Sequence, residues 1–248
     1  MTAAPDPVGA DRRAALAAGL AAVRARIADA CAAAGRDPSG VTMIAVTKTY
    51  PAGDAVALAG LGVTDLGENR DQEAAPKAAG VAAAGAAVRW HFIGQLQRNK
   101  ARSVVRYADV VHSVDSVRLA RALGTAAESG RDRPLPTLVQ VSLDGDPARG
   151  GALPDAADPD RGLRPVAEAL AGAPALRLAG LMAVAPLGWE PERAFARLAE
   201  VAAAFRVGYP TATMLSAGMS GDLETAIGYG ATHVRVGSAL LGMRSTLR

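Results

Sequence analysis

Three features of this sequence have the residue types and setting to do chemistry: a solitary lysine, two serines beside glycines, and an arginine inside an apolar run. Lys48 closes the stretch Ile44-Ala45-Val46-Thr47-Lys48-Thr49, whose nearest other charges are Asp37 upstream and Asp54 downstream. Counting by twos puts Lys48 on the side of Val46 and Ile44. An inward lysine there sits on an aliphatic floor that favours the neutral amine, the form that condenses with a carbonyl to a Schiff base. A lysine that caps the strand end in solvent fits the local pattern as well.

The segment Ser216-Ala217-Gly218-Met219-Ser220-Gly221-Asp222 leads from a strand pattern into a helical one. The Ser220 hydroxyl and the amides of Gly221 and Asp222 are expected to project from a helix N-terminus as an anion cradle. In Arg235-Val236-Gly237-Ser238, Gly237 lets backbone approach a ligand and Ser238 starts another helical segment. Each serine alone reads equally well as an ordinary N-cap, worth ~1 kcal/mol to its helix. Arg235 alternates with Val234 and Val236, which sends it inward with His233 and Gly237. An inward guanidinium needs an acceptor, either an internal carboxylate or an aromatic ring nitrogen of a bound cofactor. A lysine that forms an imine, an arginine aimed at a ring nitrogen and a phosphate cradle describe the pyridoxal 5′-phosphate (PLP) site of a barrel protein.

The elements that must position these groups alternate along the chain. A helical period runs from Asp11 to about Ala34, after which short β-branched runs alternate with Ala-rich segments of helical length. The candidate strands are Val41–Thr47, Thr64–Leu66, Trp90–Ile93, Val110–Val114, Thr137–Ser142, Leu178–Val184, Thr213–Ser216 and His233–Val236. This rhythm predicts an α/β fold, a single (β/α)8 barrel of the TIM type with an extra N-terminal helix; a doubly wound open sheet is the alternative. No Gly-x-Gly-x-x-Gly follows the first strand and no P-loop motif occurs, so the usual anchors of open sheets are missing. Polar groups recur after the strands instead, at Lys48, Asn69, Gln95, Ser220 and Ser238, as at the carboxyl-end rim where barrels build their sites. A flexible tail over residues 1–10 precedes one barrel domain over 11–248, and the Gly/Pro/Asp-rich stretch from Asp144 to Gly162 reads as a mobile loop.

Composition sets limits on partners. The 248 residues are 50% hydrophobic but only 4% aromatic, and carry a net charge of +3, which describes an aliphatic globular protein and excludes disorder for most of the chain. No apolar run approaches the ~20 residues of a membrane span, and the lone Cys31 reads as a small buried apolar residue suited to a reducing cytoplasm. The cluster Gln97-Arg98-Asn99-Lys100-Ala101-Arg102 lacks interleaved aromatics and reads as a solvated face, with no nucleic acid partner. His91, His112 and His233 are isolated in sequence and read as core or rim residues, with no metal.

Taken together, Ala45-Val46-Thr47-Lys48-Thr49, Gly67-Glu68-Asn69, the block from Trp90 to Lys100, Gly180-Leu181-Met182, Gly218-Met219-Ser220 and Arg235-Val236-Gly237-Ser238 resemble the PLP homeostasis protein family. The resemblance implies a PLP barrel of fold type III, like the N-terminal domain of alanine racemases. It makes Lys48 the cofactor lysine, sets Arg235 against the pyridine nitrogen, puts Ser220, Gly237 and Ser238 at the phosphate and Asn69 near the ring, and adds Ser216 and Met219 to the cofactor site. The chain departs from the family pattern mildly, at Ala217 and Gly221 and at Ser142, Asp146 and Arg149 after the fifth strand.

Three functions are compatible with this reading. The first is a cytoplasmic PLP carrier, a monomer or weak dimer, that holds the cofactor on Lys48 and exchanges it with amino acids or PLP-dependent apoenzymes without turnover. The second is an amino-acid racemase, which needs an electron-withdrawing ring and a second acid/base on the opposite face; Arg235 opposes the first, and the segment beyond Gly242 is expected to be too short to supply the second. The third, a cofactor-free Schiff-base aldolase, leaves Arg235 without a partner.

Overall fold

The computed structural model describes residues 8–146 and 149–242. Most of the expected tail lies outside the described residues, and Ala10 already belongs to the first helix, α1 (Ala10–Ala33). Eight strands follow, β1 (Thr42–Val46), β2 (Asp65–Glu68), β3 (Arg89–Phe92), β4 (Val110–Val114), β5 (Leu135–Gln140), β6 (Leu176–Met182), β7 (Met214–Ser216) and β8 (His233–Val236). All neighbours are parallel and the sheet closes in sequence order. The closing pair runs from Thr42 opposite His233 to Ala45 opposite Val236, which excludes the open-sheet alternative.

Helices α2 (Ala52–Gly60), α3 (Asp71–Ala83), α4 (Ala101–Tyr107), α5 (Val117–Gly130), α6 (Leu163–Ala171), α7 (Pro191–Gly208) and α8 (Leu223–Gly228) return the chain between strands, and α9 (Ser238–Leu241) follows β8. Their start signals are local. Ser116 accepts from the Leu119 amide at the head of α5, and Leu119, Ala120, Leu123 and Ala127 then form its buried stripe. Small side chains let these helices lie close to the sheet, and the core is built from Ala, Val and Leu with Phe92 and Phe195 as its largest fully buried aromatics.

The extra helix α1 is not an appendage. Its Leu16, Leu20, Val23 and Ile27 are buried with Leu223, Ile227, Leu240 and Leu241 of the last two helices. Gly19 permits that approach, since a Cβ there would meet the Leu240 carbonyl oxygen at 2.4 Å. Arg12 pairs with Asp54 at 2.6 Å and donates to the Leu241 carbonyl, while Arg26 pairs with Glu224 and donates to the Ser220 carbonyl at 3.0 Å. Cys31 is fully buried.

Strand boundaries differ from the sequence reading by one or two residues in six of the eight strands, of which β2 and β5 are the informative cases. β2 extends through Gly67 and Glu68, which pair with His91 and Phe92 although their types suggest a loop. β5 starts before Pro136, because the Leu135 amide joins the ladder at the Ala175 carbonyl first. The described residues of the stretch from Asp144 to Gly162 are irregular but tied to the barrel: the Ala152 amide donates to the Gln140 carbonyl at the end of β5, the Ser142 amide donates to the Ala152 carbonyl, and Leu153 pairs with Gly162. A mobile loop was the expectation; backbone bridging is what its described residues show.

Candidate functional site

At the carboxyl end of β1 the chain turns at once. The Tyr50 amide donates to the Thr47 carbonyl at 3.1 Å, and Thr49 at the turn's third position has φ +67°. A β-branched residue there is strained, since this position normally takes glycine or asparagine. Ile44 and Val46 are buried as expected, while Lys48, within the turn, is exposed. The aliphatic pair therefore does not bury Lys48.

Asn69 follows β2 and is half-buried; Gly94, after β3, packs so closely on it that a Cβ would lie 2.1 Å from the Asn69 carbonyl oxygen. A groove of about 440 Å³ opens beside it, lined by Asn69, Arg70, Gln95, Gln97 and Lys100 among others, so part of the basic cluster faces the rim.

Arg235 lies inside the barrel wall, 4% exposed, as its alternation requires. It donates to the Ser216 hydroxyl at 2.7 Å and to the Ala183 carbonyl at 2.9 Å. Burial pushes its pKa down to about 10, with Asp222 pulling the other way from a distance. Among the described residues no carboxylate forms an ion pair with it. The guanidinium is thus a desolvated cation satisfied by neutral acceptors only, and an anionic internal partner, one of the two expected options, is not what the fold supplies.

The serines stand differently from the expectation. Gly218, at φ +87° and with Leu223 and Ala226 of α8 against it, inserts a turn that delays the helix, so that Asp222 is the N-cap and its amide bonds back to Met219 at 3.2 Å. Ser220 is neither cap nor part of a row of free amides. Its hydroxyl accepts from the amides of Gly237 and Ala239, both at 3.3 Å, across the gap between the β7 and β8 ends. Gly237 caps α9, and Ser238 is its exposed first residue. Met219, 39% exposed, lies on the same loop with its amide held by Asp222. A Cβ on Gly237 would meet Val46 only at ordinary contact distance, 3.5 Å, so protein packing does not demand glycine there.

The fold therefore brings Lys48, Asn69, Ser216, Met219, Ser220, Arg235, Gly237 and Ser238 to one end of the barrel. Two clusters were not anticipated. Beneath the Lys48 turn, Lys77 of α3 is buried against Glu68, and both engage Thr47. The spacing of Lys77 with Ala74, Ala78 and Val81, all buried on one helical face, is a signal that could have revealed it. Toward the amino ends of the strands, the three histidines meet. His91 bonds Asp65 at 2.7 Å and His112 at 2.9 Å, and the His233 ring centroid lies 6.3 and 6.4 Å from theirs. Burial pushes the Asp65 carboxyl up, but hydrogen bonds from His91, Arg89 and Thr64 outweigh it and hold the carboxylate below its ordinary range. Burial and then the neighbouring His91 push His112 well down and His233 down to about 4.

Sequence comparison agrees with this geometry. The alanine racemase N-terminal domain family matches residues 19–245. The chain is 45% identical over 250 residues to the pyridoxal phosphate homeostasis protein of Mycobacterium tuberculosis H37Rv, covering 94% of this chain and 95% of that one. Among solved structures, a protein of unknown function from Bifidobacterium adolescentis superposes with a TM-score of 0.84 at 31% identity, over 97% of this chain and 100% of the other. PipY of Synechococcus elongatus PCC7942 with PLP bound gives 0.74 at 34%, over 92% and 100%.

Proposed function

This chain belongs to the pyridoxal phosphate homeostasis protein family, and on that footing we propose that it is a PLP carrier that holds the cofactor covalently on Lys48 and hands it to amino acids or apoenzymes in the cytoplasm. The observation that carries the reading is Arg235: a buried cation that pairs with no carboxylate among the described residues, inside the barrel beside a hydroxyl and a carbonyl. Such a group fits a neutral ring nitrogen that arrives with a ligand.

The donor set fits the rest of PLP. The amides of Gly237 and Ala239 are held only by long bonds to Ser220, and the Ser220 and Ser238 hydroxyls stand with them, so a phosphate can take over these donors at little cost. Ser216 orients Arg235, and Asn69 and Met219 flank the rim. When bound, PLP supplies an aldehyde that condenses with a primary amine and releases water. Lys48 presents the amine from an exposed turn, open to an incoming amino acid that competes for the same aldehyde.

Racemisation is the second reading, favoured by the family match to alanine racemases, and two features of the chain oppose it. Arg235 has only N–H donors and can give up no proton at neutral pH, so a nitrogen facing it remains an unprotonated acceptor and a weak electron sink. The Tyr50 hydroxyl is bound to the Gly242 carbonyl at 2.5 Å, and Tyr229 follows the last turn of α8, at the far end of that helix from the rim.

The deciding experiment is an absorbance spectrum of purified protein loaded with PLP, before and after borohydride reduction, with peptide mapping. A visible band converted to a stable adduct on Lys48, and lost in Lys48→Ala with the fold retained, supports the reading; an adduct on another lysine overturns it.

A further inference from the structure

Lys48 has an unusual freedom for a residue given so specific a task. No hydrogen bond or ion pair holds its side chain among the described residues, so only its backbone sets where the amine starts. Both residues that flank it are tied to one neighbouring unit, the end of β2 and helix α3. On the upstream side, the Thr47 carbonyl accepts from Lys77 Nζ at 2.7 Å, and the Thr47 hydroxyl donates to Glu68 Oε1 at 2.7 Å. On the downstream side, the Thr49 amide donates to Glu73 Oε2 at 3.1 Å. The Thr47 carbonyl also closes the turn to Tyr50, so Lys77 reinforces the acceptor on which the turn depends.

The Lys77–Glu68 pair is a costly way to stabilise a fold. Lys77 is 7% and Glu68 1% exposed, burial pushes the Glu68 pKa up against the pull of Lys77 and Thr47, and Glu68 Oε2 is buried with no hydrogen-bond partner among the described residues. A hydrophobic pair would fill the space without desolvating two charges. What an apolar pair cannot do is fix the direction of a carbonyl. The strained Thr49, left-handed at +67°, needs something to hold it there.

We propose that Lys77, with Glu68, is a positioning residue for Lys48: it pins the Thr47 carbonyl, holds the Thr47–Tyr50 turn with Thr49 in its strained conformation, and so fixes the place from which the Lys48 amine meets an aldehyde. The inference rests on Lys48 being the cofactor lysine. It also implies that a displacement of α3 is felt at Lys48, because α3 carries both Lys77 and Glu73.

The test uses the full chain and compares wild type, Lys77→Met, Thr49→Gly and the double variant. In ligand-free protein, amide hydrogen exchange at Thr49 and Tyr50 is expected to accelerate at least tenfold in Lys77→Met, with β1 and β8 amides unchanged. The rate at which PLP is captured as a borohydride-stable adduct on Lys48 is expected to fall at least tenfold. Thr49→Gly in the Lys77→Met background is expected to recover much of that rate, since glycine adopts the turn without strain. Wild-type exchange and capture in a folded Lys77→Met overturn the proposal, as does acceleration spread evenly over the barrel or a defect that Thr49→Gly leaves untouched. If Lys77→Met does not fold, the Glu68→Gln/Lys77→Met pair, which removes both charges, is held to the same criteria. Absence of a Lys48 adduct in wild type defeats the Lys48 reading instead, and the exchange arm still tests the clamp.

Discussion

Arg235 on β8 and Ser216 on β7 are joined by a buried hydrogen bond of 2.7 Å, with the hydroxyl as one of the guanidinium's two hydrogen-bond acceptors among the described residues. Removing one acceptor from a desolvated cation is expensive. Ser216→Ala is expected to destabilise the ligand-free protein by about 1–3 kcal/mol, read as a lower urea midpoint at unchanged slope. The loss should shrink when PLP is present, because a ring nitrogen gives Arg235 another acceptor. Equal destabilisation with and without PLP counts against Arg235 as the ring-facing group.

Ser220 and the amides of Gly237 and Ala239 form the other half of the site. The double variant Ser220→Ala/Ser238→Ala is expected to weaken PLP binding about tenfold or more, in line with loss of one or two hydrogen bonds to an anion. Pyridoxal, which lacks the phosphate, should bind wild type and variant alike. Competitive adduct formation with the two aldehydes measures the ratio, and a parallel loss for both would rule out this phosphate cradle.

The clustered histidines, His112 buried and His233 half-buried, predict the acid side of the stability profile. His112 and His233 take up protons less readily folded than unfolded, so the unfolded chain binds more protons below its ordinary histidine pKa and stability falls with pH. The loss begins near pH 6.5 and for His233 extends to about 4, a contribution of the order of 3 kcal/mol for that residue alone. Asp65, held low by its partners, adds a separate loss only below the ordinary carboxylate range. Urea midpoints from pH 7.5 to 4.5 check this; a flat profile down to 4.5 contradicts it.

For amino acids the expected result is exchange without turnover. Loaded protein mixed with alanine in deuterated water should release cofactor from Lys48, yet incorporate deuterium at the α-carbon no faster than free PLP does. Chiral analysis of the recovered alanine completes the measurement. Rapid incorporation, or inversion above the free-cofactor rate, favours the racemase.

Much of this architecture is legible in the sequence because barrel strands and helices announce themselves locally. The alternation of Val234, Arg235 and Val236 suffices to send the guanidinium inward, and the strand-end positions of Lys48 and Asn69 suffice to bring them to one rim. What fails is whatever depends on the exact path of a turn. The positive φ of Gly218 adds residues before α8 and changes Ser220 from a cap into a bridge between loops, and Lys48, in a turn with Thr49 at positive φ, is exposed. The histidine cluster and the Lys77–Glu68 pair are illegible for another reason. The histidines come from different strands, and although the helical period marks Lys77 as buried, it does not report that its partner is Glu68 at the end of the preceding strand.

The packing of α1 has a consequence for how the chain acquires its shape during synthesis. The apolar face of this helix packs on α2, near in sequence, and on α8 and α9, far from it: Arg12 binds Asp54 42 residues on and the Leu241 carbonyl 229 residues on. Part of that face can be covered early by α2, and β1 can pair early with β2, but the contacts with α8 and α9 and the β1–β8 pair wait for segments about 200 residues further on. Wall closure and the bracing of α1 against α8 and α9 are therefore long-range steps, and the part of the helix face that they cover stays exposed until both have formed.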